Sequence, residues 1–268
     1  MTERILVTGA AGQIGTALRS RLARPDRVLR LLDVAPIPLA AEDESVEVVT
    51  ASVTDLAAME AACREVAAIV HLGGLASENP WDDILMTNIH GTYVVFEAAR
   101  RAGVRRVVFA SSNHAVGFHP SDGDLAPDYV FPRPDTYYGV SKVAGEALAS
   151  LYHDRYGIDA ICLRIGSCQE RPATERELAT WLSYDDCARL VDAALTAPNP
   201  GFRVVWGISA NTRAWWSLEE ARSLGYQPQD DAERYADQVT ASSPQALRLV
   251  GGDFCSSDYD APVPESSS

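Results

Sequence analysis

The order of the hydrophobic runs constrains this chain more than any other feature. Short β-branched stretches at Arg4 to Thr8, Val28 to Leu32, Val46 to Val49, Ala68 to Leu72, Val104 to Ala110, Ala160 to Ile165 and Phe202 to Trp206 read as strands. Between them Gln13 to Ala23, Leu56 to Val66, Ile84 to Arg101, Tyr138 to Tyr156 and Tyr184 to Ala197 carry helical spacing. Strands that alternate with helices pair in parallel through right-handed crossovers. The order therefore predicts an α/β, Rossmann-type doubly wound parallel sheet with helices on both faces. Strands this continuously apolar fit burial on both sides.

Directly after the first strand comes GAAGQIG, with Gly9, Gly12 and Gly15 at the opening of the first helix. Glycines allow a tight turn and close approach of backbone to a pyrophosphate, which the free N–H groups of the helix start then face. Asp33 closes the second strand 18 residues beyond Gly15, where a carboxylate accepts from adenosine ribose hydroxyls and repels a 2′-phosphate. This predicts a dinucleotide site that prefers NAD to NADP. No internal repeat or linker divides the chain. One domain is expected over residues 1–255, with about 1–165 as the NAD-binding core and about 166–255 contributing a small C-terminal substrate-binding portion; 256–268 reads as a flexible tail.

A formal net charge of -14 argues against nucleic acid, because a phosphate backbone is bound by clustered Lys and Arg. It also means that an anionic small substrate needs a dedicated Arg. The five cysteines, Cys63, Cys162, Cys168, Cys187 and Cys255, have neither CxxC nor zinc-ligand spacing, so they read as reduced thiols and no metal site is expected. No apolar run is long enough for a membrane span, and MTERILVTG lacks a leader-like pattern, so a cytoplasmic location is expected.

Of the 23 basic residues 22 are Arg; the single Lys is Lys142, four positions after Tyr138 in YYGVSK. That spacing stacks both side chains on one helix face. A neighbouring ammonium, with the charge of a nicotinamide, favours phenolate and makes Tyr138 a candidate general base. The string FASSNH at the end of the fifth strand offers a hydroxyl donor, Ser111 or Ser112, of which Ser112 is preferred. The loop Phe118 to Thr136, rich in Pro, is long enough to suggest a functional role.

The glycine motif, HLGG (His71 to Gly74), the Ser112 string and YGVSK together resemble the extended short-chain dehydrogenase/reductase family. FASSNH, RIGSC (Arg164 to Cys168), TWLS (Thr180 to Ser183) and VVWGISAN (Val204 to Asn211) are similar to NAD-dependent uronate dehydrogenases, and the likeness runs from about Ile5 to Phe254. The resemblance implies oxidation of the anomeric carbon of D-glucuronate or D-galacturonate to an aldarolactone. It implies Tyr138 as base, Lys142 as its orienting cation and Ser112 as the group polarising the anomeric hydroxyl. It implies NAD contacts from Gly9, Gly12, Gln13, Ile14, Gly15, Asp33, Ser52, Val53, Leu72, Gly73, Gly74, Asn88, Tyr138 and Lys142. Sugar contacts are implied for Ser77, Ser112, Asn113, His114, Tyr138 and Ser167, with Arg176 on the carboxylate and Arg171 as the alternative clamp. His71 reads as packing behind the site.

Two positions depart from that pattern. Ala76 stands where a substrate-touching Ser is usual, with Ser77 next to it, and Ser52 stands where an Asp usually meets the adenine. The rival within the fold is a nucleotide-sugar epimerase or dehydratase, against which the short stretch after the sixth strand argues; a non-enzymatic NAD sensor would not need Tyr138, Lys142 and Ser112. A homo-oligomer is expected, and Ile84 to Arg101 fits helix pairing or packing on the sheet equally well.

Overall fold

The computed structural model describes residues 2–42, 44–121, 130–257 and 259. Seven strands form one parallel sheet: β1 (Glu3–Thr8), β2 (Arg27–Asp33), β3 (Val46–Thr50), β4 (Ala68–His71), β5 (Arg106–Ser112), β6 (Asp159–Ile165) and β7 (Phe202–Gly207). Their order is β3-β2-β1-β4-β5-β6-β7, so the chain reverses direction across the sheet between β1 and β4. In such sheets ligands bind beyond the carboxyl ends of the strands at that reversal. The doubly wound α/β expectation holds.

Alternation along each strand divides the core in two. Ile5, Val7, Leu29, Leu31, Ile161 and Leu163 face one layer, which is covered by α1 (Gln13–Arg21) and a later helix, Tyr184–Thr196. Leu6, Leu32, Val107, Phe109, Ala160 and Cys162 face the other, beneath α2 (Leu56–Ala62), α3 (Gly91–Ala102) and α4 (Tyr137–Tyr156). Each large aliphatic side chain buried this way contributes about 1.5–3 kcal/mol by leaving water. That is why a strand apolar on both sides is stable only between two helical layers.

One expected helix differs in detail. Ile84 to Arg101 is not α-helical throughout, because Ile84–His90 is a π-helical stretch before α3. Within it the Asn88 side chain reaches out of the helix to Leu75 and Ser141, and the wider turn accommodates that commitment. Beyond the sheet two short strands, Ser167–Cys168 and Trp181–Leu182, pair in parallel. Of the expected tail, 258 and 260–268 lie outside the described residues, and Tyr259 stacks on Phe254 at 4.2 Å. In the long loop before α4, 122–129 likewise lie outside them.

Candidate active site

A cleft of about 720 Å³ opens along the carboxyl ends of the strands. Gly9, Gly12, Gln13, Ile14 and Gly15 line one stretch, Asp33, Ser52 and Val53 the far end, Leu72, Gly73 and Gly74 the wall, and Ser112, Tyr138 and Lys142 the near end. Gly9 has φ +69°, and a Cβ there would come within 2.6 Å of Gly73 N, so the glycine turn and the HLGG turn meet only as bare backbone. Behind them a buried relay locks the contact. Thr92 Oγ1 donates to Asn88 O at 2.6 Å, so His71 Nε2–H donates to Thr92 and Thr8 Oγ1–H donates to His71 Nδ1 at 2.8 Å. Gly73 N–H then donates to Thr8 Oγ1 at 3.3 Å. Burial pushes His71 down to about 3, which keeps the imidazole of this relay neutral, behind the cleft wall.

At the adenosine end Asp33 Oδ2 accepts from Ala11 N at 2.9 Å and Oδ1 from Ala35 N at 3.0 Å. Those bonds fix the carboxylate and leave further lone pairs for ribose hydroxyls. Ser52 shares its hydroxyl with Thr54 at 2.8 Å. Gln13 Nε2 donates to Cys168 O and to the Tyr184 hydroxyl, tying the helix start to the opposite bank. Asn88, expected at the cofactor, does not line the cleft: its amide accepts from Leu75 N and donates to Leu75 O and Ser141 Oγ, so it shapes the wall from behind.

The near end is built on α4. Thr136 caps the helix through Gly139 N, and the Glu78 carboxylate accepts from Tyr137 N and Tyr138 N, so the first turn is anchored from two sides. Tyr138 and Lys142 are both buried, at 7% exposure each, on one face of the helix. Lys142 Nζ donates to Ala110 O at 2.8 Å and lies 5.2 Å from the Tyr138 ring centre. Burial pushes the phenol up to about 12, while a hydrogen bond with Ser112 pulls the other way; burial brings Lys142 down to about 8. The structure also separates the two serines. Ser111 Oγ donates to Glu146 at 2.6 Å within a buried Glu146–Arg164 pair, whereas Ser112 faces Tyr138.

Five residues expected at the sugar form a rim around this end rather than lining the cleft itself. His114 meets the Tyr138 ring edge-on at 5.8 Å. Asn113 Nδ2 and Arg176 Nη2 both donate to Val250 O, and Ser167 Oγ shares a proton with Thr180 Oγ1 at 2.9 Å. The Arg176 Nε is buried without a partner among the described residues, and burial lowers the pKa of the guanidinium. An unpaired buried donor asks for an acceptor. Arg171 is exposed, so of the two candidate clamps only Arg176 is shaped by the fold. Ser77 is exposed and its backbone carbonyl accepts from Asn79 Nδ2, while Ala76 beside it lines the cleft. Glu78, Asp135 and Phe254 belong to none of the site motifs in the sequence. Only their closeness in sequence to Ala76, to Thr136 and to the end of the likeness marked them beforehand.

A family model described as the NAD dependent epimerase/dehydratase family matches residues 5–168. The chain belongs to that family. Within it, the chain is 44% identical to a uronate dehydrogenase of Pseudomonas putida over 257 residues, covering 94% of this chain and 95% of that protein. It is 39% identical to an NAD-dependent glucose-6-phosphate dehydrogenase of Haloferax volcanii, covering 88% and 96%. A solved structure of uronate dehydrogenase from Agrobacterium tumefaciens, a mutant complexed with NAD, superposes with a TM-score of 0.91 at 40% identity, covering 97% and 100%. The cleft fits the family's dinucleotide: the bare-backbone turn at Gly9 suits a pyrophosphate, Asp33 a ribose, and the Tyr138–Lys142 face a nicotinamide ribose.

Proposed function

We propose that this chain is an NAD-dependent uronate dehydrogenase that oxidises the anomeric carbon of D-glucuronate or D-galacturonate to an aldarolactone. The observation that carries the reading is one cleft that runs from the glycine turn and Asp33 to Ser112, Tyr138 and Lys142, with the half-paired Arg176 on its rim. When bound, NAD supplies the hydride acceptor. Ser112 holds the anomeric hydroxyl, and the Tyr138 oxygen takes its proton. Lys142, held by Ala110 O, keeps a positive charge beside the phenol and lowers the cost of the phenolate. Arg176, whose buried Nε has no partner among the described residues, supplies the guanidinium that pairs with the sugar carboxylate. Asn113, His114 and Ser167 surround the hydroxyls from residues 166–255 and the end of β5.

Among the described residues no helix is long and apolar enough to cross a membrane, and all five cysteines are free thiols. We place the protein in the cytoplasm on the thiols, as a homo-oligomer on the exposed Trp81, Met86, Tyr93 and Tyr137 of neighbouring helices. The test of function is NADH formation with D-glucuronate, D-galacturonate, D-glucose, glucose 6-phosphate and a nucleotide-linked glucose. Turnover on both free uronates and on none of the others is expected. NADH from glucose 6-phosphate alone would assign the rim to a phosphate. No release of NADH with any of them would return the epimerase or sensor reading.

A further inference from the structure

The loop entering α4 ends in a buried carboxylate. Asp135 directly precedes the helix cap, and its side chain is 0% exposed. Oδ1 accepts from Thr136 Oγ1 at 3.0 Å, and Oδ2 lies 2.7 Å from His114 Nδ1. Two glycines from distant segments make room for it: a Cβ on Gly117 or on Gly251 would fall on Oδ2. The Phe254 ring stacks on the His114 imidazole at 4.1 Å, and Tyr138 meets it edge-on. The imidazole is thus held at one nitrogen and on its face. Nε2 alone has no partner among the described residues.

We propose that Asp135 is a positioning residue that holds His114 as the Nδ1–H tautomer, so that Nε2 accepts a hydrogen bond from a hydroxyl of the bound sugar. The inference rests on the sugar-acid reading of the site. A carboxylate only accepts, so the imidazole nitrogen facing it carries the proton, and a neutral ring then presents a lone pair at the other nitrogen. His114 stands next to Ser112 and against Tyr138, so the ligand hydroxyl it accepts from lies near the reacting carbon. A sugar lacking that hydroxyl leaves a desolvated acceptor unpaired, which makes the contact a specificity determinant.

The test is Asp135→Asn, which keeps the size of the side chain. With its oxygen held by Thr136, the new amide turns its NH₂ to His114 Nδ1 and drives the proton to Nε2. The Michaelis constant for uronate should rise about tenfold, with turnover changed by no more than about twofold and that for NAD unchanged, because a contact common to ground and transition state is lost. In a His114→Gln background, which has no imidazole, Asp135→Asn should add less than about twofold to the effect. An equal penalty in both backgrounds would show that Asp135 acts only as scaffold and would overturn the proposal. Nitrogen NMR of histidine-labelled protein, with the His114 signal identified by its loss in His114→Gln, reads the tautomer without relying on an Asp135 variant to fold. Nδ1–H in the parent supports the proposal, and Nε2–H overturns it whatever the activity. A parent that shows Nδ1–H but oxidises no uronate would sink the substrate reading and leave the positioning assignment standing.

Discussion

The two ends of the cleft are built by different means. At the dinucleotide end the ligand-facing surface is largely backbone: the Gly9 turn, the Gly73 wall and amides that are pinned by Asp33 and Thr8. At the sugar end it is side chains, drawn from segments far apart in sequence. Asn113 meets the carbonyl of Val250 across 137 positions, and Arg176 meets the same carbonyl across 74. The first end presents a bare backbone turn for a pyrophosphate and a carboxylate for a ribose, features common to NAD sites, so it recognises a class. On the proposed reading the second sets a charge and several hydroxyl partners in a specific geometry, which would select one member of a class. Tyr138 stands where the two ends meet, which is why it is exposed to changes at either.

The largest effect is expected at that meeting point. Tyr138→Phe removes the proton acceptor and keeps the ring packed against His114. Turnover on uronate should fall about 10²- to 10⁴-fold in a steady-state NADH assay while NADH binding, read by fluorescence quenching, stays within about threefold. Retained turnover would remove Tyr138 from the chemistry and leave the two ends without a common centre. A smaller effect is expected at the far end of the cleft. Asp33→Asn loses the charge and, having a single acceptor oxygen, keeps only one of the two amide contacts from Ala11 N and Ala35 N, so NAD affinity should drop about tenfold and discrimination against NADP should narrow. If uronate affinity falls instead, the ends are not separable.

The same contrast explains how much was legible beforehand. The glycine turn, Asp33 and the Tyr138–Lys142 pair are defined by spacing within one strand–helix unit, so reading the sequence locates them directly. Ser112 was distinguishable from Ser111 only as a choice; the reason appears with Glu146, 35 positions from Ser111, which takes the Ser111 hydroxyl. Asn88 and Ser77 were placed on ligands by likeness. The structure commits the Asn88 amide to the Leu75 backbone, and Ser77 is exposed while Ala76 lines the cleft. Asp135 was invisible for the opposite reason: nothing local distinguishes a buried acid in a Pro-rich loop from an exposed one. Its partners, Gly117, Gly251 and His114, come together only in the fold. The π-helical stretch at Ile84–His90 was equally hidden, since its apolar spacing is that of an ordinary helix.

The separation of the two ends is tested most directly by measuring both Michaelis constants in Arg176→Ala. Arg176 is the one rim cation with a buried, unpartnered edge among the described residues, and it touches nothing at the dinucleotide end. Losing a charge-assisted contact there should raise the constant for uronate about 10- to 100-fold and leave that for NAD within about twofold. Equal movement of both constants, or no movement of the uronate constant, would contradict the account.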